Sequence, residues 1–232
     1  MNALAALRGG LIVSVQAKPG SARDDPAVIA ALALGAQEGG AVGLRIQSAA
    51  HIRAVKARCN LPVVGLVKRV YDGFEPYITP TLREIAEILD AGAEIVAFDA
   101  TPRERPAGAT LERIVAEIHR SSGTAMADCA TFDDARTAHA LGAEILATTL
   151  CGYTTDTRGS TLPAIALVAR IAELGAFTIC EGGVGTPEAA RSALLAGAEA
   201  VVVGTALTGL STRVGEFAAA LQKHGPGGPS DL

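Results

Sequence analysis

Apolar residues along this chain fall into eight short runs: LIVSVQA from Leu11, AVGLRI from Ala41, PVVGLVK from Pro62, EIVAFDA from Glu94, TAMADCA from Thr124, EILATTL from Glu144, AFTICEGGV from Ala176 and AEAVVVGTAL from Ala198. Each is nearly continuous in apolar character, as expected of a strand covered on both faces. Segments of helical spacing separate them. In TPTLREIAEILDAG, for instance, Leu82, Ile85, Ile88 and Leu89 share one face. Several helices end on the same punctuation, AGAE before Ile95, LGAE before Ile145 and AGAE before Ala200. There a glycine stops the helix and a strand follows. Eight such alternations predict an α/β fold in which a parallel sheet closes into a single (β/α)8 TIM barrel.

Helix starts are expected at Thr79-Pro80, at Thr131 with Asp133 and Asp134, at Thr161 with Pro163, and at Thr186-Pro187-Glu188. The N-terminal residues read as a helix turn leading into the first strand. We expect one domain over residues 1–224 and a flexible tail over 225–232, where KHGPGGPSDL has no apolar period.

Composition narrows the function classes. The chain has 232 residues, 49% of them hydrophobic, and a net charge of −4 from 20 basic and 24 acidic side chains. That is enough for one barrel core of roughly 200–250 residues. Without a basic run there is no electrostatic reason to expect a nucleic-acid partner. No apolar run approaches the ~18 residues of a bilayer span, and the N-terminus lacks a signal-peptide pattern, so no membrane association and a cytoplasmic location are expected. Cys59, Cys129, Cys151 and Cys180 are scattered and are expected to be reduced and buried.

Active sites of such barrels lie at the C-terminal ends of the strands. The runs here end in Gln16, Arg45, Lys68, Asp99, Asp128, Thr148 with Thr149, Glu181, and Gly204 with Thr205. A polar residue thus closes nearly every apolar run. The seventh and eighth units carry EGGVGTPE and VVGTAL, whose glycines let backbone N–H groups approach an anion where barrels recurrently bind phosphate. Lys68 and Glu181, on the third and seventh strands, are expected to face each other across the mouth, an arrangement suited to removing and returning a proton at one carbon. Histidines fall in helical or tail segments, which disfavours a histidine base or a clustered metal site. The charged loop ATPRERPAGAT could cover the site or be a solvated crossover.

The segments IVSVQA, GGAVGLR, LPVVGLVKR, YITPTLREI, FDAT, MADCAT, TTLCGYT and EGGVGTPE followed by VVVGTA resemble those of the N-acylmannosamine-6-phosphate 2-epimerases, from about Leu11 to about Thr205. The resemblance implies reversible conversion of N-acetylmannosamine 6-phosphate to N-acetylglucosamine 6-phosphate in sialic acid breakdown, by inversion at C2 of the open-chain sugar. It implies no metal or redox cofactor and suggests a homodimer. It also implies that Lys68 is the acid/base lysine and Glu181 a catalytic glutamate, acting in ring opening or in proton return. Gln16, Arg45, Asp128 and Tyr153 match sugar-contacting positions, Asp99 a matching strand end, and Gly182, Gly183, Gly204 and Thr205 the phosphate site. The chain departs from the family pattern at Gly183, where many relatives have arginine, at Ile46-Gln47, where Ala-Asn is common, and at Val15, where cysteine is frequent. Two other functions are compatible with the residues alone. One is a Schiff-base aldolase using Lys68 as nucleophile toward a sugar phosphate. The other is a sugar-phosphate-binding barrel that has lost catalysis.

Overall fold

The computed structural model describes residues 3–222, so the expected tail over 225–232 lies outside the described residues. Eight parallel strands close into a barrel in sequence order: β1 Gly10–Val15, β2 Gly43–Gln47, β3 Val63–Leu66, β4 Ile95–Asp99, β5 Thr124–Asp128, β6 Ile145–Ala147, β7 Phe177–Glu181 and β8 Ala200–Val203. Helix α1 (Ala3–Leu7) precedes β1. The outer helices are α2 Pro26–Glu38, α3 Ala49–Lys56, α4 Leu82–Asp90, α5 Leu111–Arg120, α6 Phe132–Ala140, α7 Ile165–Ala172 and α8 Pro187–Leu195. After β8 come a short α9 (Thr205–Thr208) and α10 (Leu210–Gln222).

Strand alternation explains how the continuous apolar runs serve two layers. Ile12, Leu66, Met126, Ile179 and Val202 point inward and form one buried cluster with Leu7, which enters the base of the barrel from α1. Leu7 has room because β2 begins with glycine: a Cβ at Gly43 would sit 2.4 Å from a Leu7 methyl. The neighbouring residues Val13, Leu44, Val63 and Phe98 point outward onto Ile29, Ile52, Ile85 and Ile114 of the helices. Burying each such aliphatic side chain contributes roughly 1.5–3 kcal/mol relative to leaving it exposed.

The repeated punctuation has a structural basis. Gly92, Gly142 and Gly197 all adopt positive φ, at 95°, 98° and 105°, a region costly for other residues. The glutamate that follows in two of the repeats reaches back to an adjacent strand: Glu94 accepts from the backbone N–H of Val63 at 3.0 Å and Glu144 from that of Ala125 at 2.9 Å. The repeat therefore ends one helix and ties down a strand start.

Two of the expected helix starts move. Thr81, not Thr79, caps α4, in a reciprocal box with Glu84, while Thr79 sits at φ 45° in a backbone bridge described below. Thr161 caps nothing, because α7 starts after Ala164 without a side-chain cap. Thr131 and Thr186 cap α6 and α8 as expected. The last helix is unusual: none of the α10 residues is buried, and Leu210, Val214, Phe217 and Leu221 form an exposed apolar stripe. Among the described residues no helix is long and apolar enough to cross a membrane.

Candidate active site

Extending the inward alternation two residues beyond the apolar cluster gives the next layer. Leu66 is followed by Lys68, Met126 by Asp128, Ala147 by Thr149, Ile179 by Glu181 and Val202 by Gly204. Gly43 likewise leads to Arg45 and Ile12 to Ser14 and Gln16. Polar chemistry is thus stacked directly on the apolar plug. Above it opens a cleft of about 640 Å³, lined by Gln16, Arg45, Lys68, Tyr153, Glu181, Gly182, Gly183, Gly204 and Thr205, among others. That volume suits a small polar ligand.

At the floor, Arg45 is fully enclosed. Its guanidinium meets Asp128 in a two-pronged pair, at 2.6 and 3.2 Å, and reaches the Glu181 carboxylate at 3.2 Å. The Thr149 hydroxyl donates to Asp128 at 2.7 Å and is placed 3.2 Å from Glu181. Thr148 clamps the Glu181 backbone from both sides: its hydroxyl donates to the Glu181 carbonyl and accepts from the Glu181 N–H. Glu181 is thus held by Arg45 of β2 and by the threonine pair that follows β6.

Burial pushes the Glu181 carboxyl up to about 7, against the pull of Arg45 and with the repulsion of Asp128. Burial also works against the Arg45 charge, but Asp128 and Glu181 more than offset it, and the guanidinium is held above its ordinary range. It remains a fixed cation in the cleft wall.

Lys68 lies beyond the observed end of β3, which stops at Leu66. The chain there leaves β4 and bridges instead to the segment before α4: Lys68 pairs antiparallel with Ile78, Thr79 N–H donates to Val67 at 2.8 Å and Arg69 N–H to Tyr77 at 2.9 Å. The adjacent Arg69 turns away to ion-pair with Glu84 and Glu87 of α4. One cation anchors the backbone while the other enters the cleft. Lys68 is open to cleft solvent, yet the crowding of protein around it, followed by the proximity of Arg45, lowers its pKa from the usual lysine value. A larger neutral fraction makes it a better base.

The other expected positions divide. Gln16 donates to Ser14 at 2.9 Å while its carbonyl oxygen is buried without a partner, leaving an acceptor for a ligand. Tyr153 is exposed at the rim and lies over Gly182. Asp128 is wholly buried, paired with Arg45 and outside the cleft lining. Asp99, expected among the substrate contacts, is also outside the cleft lining. It is taken up by Thr101, Arg103 and Arg105, which fold the charged loop back onto the end of β4. Arg105 is buried there, donating to the carbonyls of Asp99 and Thr101. The loop after β4 is thus tethered beside the barrel and contributes nothing to the cleft lining.

Reading only strand ends missed Ser14, Arg23 and Tyr77, which also line the cleft. Arg23 and Tyr77 come from loops after β1 and β3. The available signal was a lone arginine in KPGSARDDP and a tyrosine in YITP. Among the described residues, no group of three or more His, Cys, Asp or Glu side chains is placed to hold a metal ion.

Comparison with known proteins gives a consistent result. The NanE family model, described as putative N-acetylmannosamine-6-phosphate epimerase, matches residues 29–223. A putative N-acetylmannosamine-6-phosphate 2-epimerase of Klebsiella pneumoniae subsp. pneumoniae is 44% identical over 214 residues, covering 92% of this chain and 90% of the relative. A bifunctional enzyme NanE/NanK of Brucella melitensis is 46% identical over 202 residues, 87% of this chain but 39% of that longer protein. The structure of the N-acetylmannosamine-6-phosphate 2-epimerase from Clostridium perfringens superposes with a TM-score of 0.92 at 35% identity, covering 95% of this chain and 96% of that one. A thiamine phosphate pyrophosphorylase from Pyrococcus furiosus, at 17% identity and a TM-score of 0.58, shares the fold alone.

Proposed function

Because the chain belongs to the NanE family of N-acetylmannosamine-6-phosphate epimerases, we propose that it interconverts N-acetylmannosamine 6-phosphate and N-acetylglucosamine 6-phosphate by proton exchange at C2, with Lys68 as the base. The observation that carries this reading is one cleft lined by Lys68, Arg45 and Glu181, with the Arg45 guanidinium 3.2 Å from the Glu181 carboxylate; the lowered Lys68 pKa and the Glu181 carboxyl raised to about 7 support it.

The C2 proton is acidic only in the open-chain sugar, where it lies next to an aldehyde. Neutral Lys68 takes that proton and becomes an ammonium; the electron pair left on C2 forms a C1–C2 double bond and the C1–O1 π pair moves onto O1, giving a 2-acetamido enolate. Arg45, already desolvated and cationic, is suited to hold the developing negative charge without reorganisation. Return of a proton to the other face of C2 gives the epimer. Glu181, on the strand opposite Lys68, supports either that return or the proton transfers of ring opening. Gln16 and Tyr153 would contact the sugar or its acetamido group. Four buried free cysteines support a cytoplasmic location.

Proton NMR of the substrate with purified protein in heavy water tests the reading. The gluco epimer should appear with deuterium at C2, and Lys68→Ala should abolish both epimer and exchange. Full deuteration would favour separate groups on the two faces; partial retention of protium would indicate that one base serves both, leaving Glu181 to ring opening. No epimer and no exchange would sink the epimerase reading, and borohydride trapping of a Lys68 adduct would then favour the aldolase.

A further inference from the structure

The phosphate end of the cleft lacks an obvious cation. Gly182, Gly183, Gly204 and Thr205 line it and offer backbone N–H groups and one hydroxyl. Gly183 cannot carry a longer group in this packing: it adopts φ 70°, and a Cβ there would fall 2.4 Å from Cβ of Leu162. A phosphate dianion is best held by a guanidinium. Four cations line the cleft: Arg23, Arg45, Lys68 and Arg213. Arg45 is committed to Asp128 and Glu181, Lys68 to the reacting carbon, and Arg213 to Glu216 on its own helix.

Arg23 remains. Its guanidinium donates to the Thr208 carbonyl, 185 positions away in sequence. The Thr208 hydroxyl in turn donates to Ser14 O at 2.8 Å and is placed 3.2 Å from Gly204 O, which ties Arg23 to the strand ends that form the anion site. The loop carrying Arg23 is ordered by its own bonds: Gly20 N–H donates to Asp24 at 2.8 Å, Asp24 N–H to Ser21 at 2.9 Å, and Asp25 caps α2. Among the described residues no carboxylate ion-pairs with Arg23. One Nη donor is used on a neutral carbonyl, and the other guanidinium donors remain for a ligand.

We propose that Arg23 is the phosphate-binding cation of this site, reaching the substrate's 6-phosphate from the loop after β1, beside the glycines that follow β7 and β8. This deepens the epimerase reading and rests on it for the identity of the phosphorylated substrate. The test compares wild type, Arg23→Ala and Arg23→Lys in kinetics with N-acetylmannosamine 6-phosphate and in calorimetric binding of inorganic phosphate. Loss of charge-assisted hydrogen bonds should raise KM about tenfold or more, with a much smaller change in kcat, and weaken phosphate binding in parallel. Lysine should restore part of both. A KM and a phosphate affinity within about twofold of wild type in Arg23→Ala would overturn the proposal, as would a fall in kcat alone. If the wild type failed to turn over the sugar, the epimerase reading would fall while phosphate calorimetry still decided the role of Arg23.

Discussion

Arg45 and Asp128 form a two-pronged ion pair at the barrel floor, with Nη2 2.6 Å from one carboxylate oxygen and Nη1 3.2 Å from the other, both side chains almost wholly enclosed. Removing one partner of such a pair leaves a desolvated charge. Asp128→Ala should therefore destabilise the fold by about 3 kcal/mol, the lower end of the range for broken buried pairs, because Glu181 still faces Arg45. Urea unfolding measures this. The same variant should lose activity, since Arg45 would be drawn onto Glu181 and lose its fixed position. Unchanged stability and activity would show that the pair is dispensable.

Glu181 sets the pH behaviour. Its folded pKa, pushed up to about 7 by burial, lies above its unfolded value. For a carboxyl in that position, the stabilising contribution is full below the unfolded pKa, about 4.3, and is lost as pH rises through the folded one. Stability should therefore fall between about pH 4.5 and 7 by an increment that Glu181→Gln removes. The dependence of kcat/KM on pH should show an ionisation near 7 that the same variant abolishes. Persistence of that ionisation in Glu181→Gln would assign it to another group.

Much of this site was legible because strand alternation carries chemistry as well as packing. Once Leu66, Met126 and Ile179 are inward, Lys68, Asp128 and Glu181 must be inward two residues on. Asp99 obeys the same rule and still lies outside the cleft lining, because Arg103 and Arg105 fold back onto it. That outcome depends on where a loop goes, which the run EIVAFDA does not encode. Thr79 failed as a cap for a similar reason: the segment 77–79 is recruited to pair with the chain at Lys68. Arg23 was hidden because its relevance rests on a contact with Thr208, made only when β1 and β8 meet.

The α10 stripe bears on assembly. Leu210, Val214, Phe217 and Leu221 are 64%, 57%, 65% and 75% exposed, while Val28 and Leu32 of α2 and Leu194 and Leu195 of α8 are also open. These two helices flank β1 and β8, the place on the barrel wall where the helix after β8 would complete the ring. Exposed apolar faces of this kind call for cover. The homodimer implied by the family resemblance is our proposal for it, with the α10 stripe of one copy on that flank of another. Light scattering should give a dimer for the wild type and a monomer for Phe217→Glu combined with Leu221→Glu. A monomeric wild type would refute it.

Gly183 and Leu162 make a coupled pair. Any side chain at 183 meets a backbone at φ 70° and Cβ of Leu162 at 2.4 Å. Left-handed backbone at a non-glycine residue costs about 1–3 kcal/mol before any clash is counted. Gly183→Arg should therefore lower the unfolding free energy measured in urea by at least that increment and displace Leu162 at the cleft edge. Leu162→Ala cannot relieve the clash, because it retains the Cβ that collides, whereas Leu162→Gly removes it. Gly183→Arg/Leu162→Gly should consequently recover more catalytic efficiency than Gly183→Arg/Leu162→Ala, although the φ cost remains in both. Equal recovery by the two double variants would show that the Leu162 backbone moves freely and that the contact does not keep position 183 small.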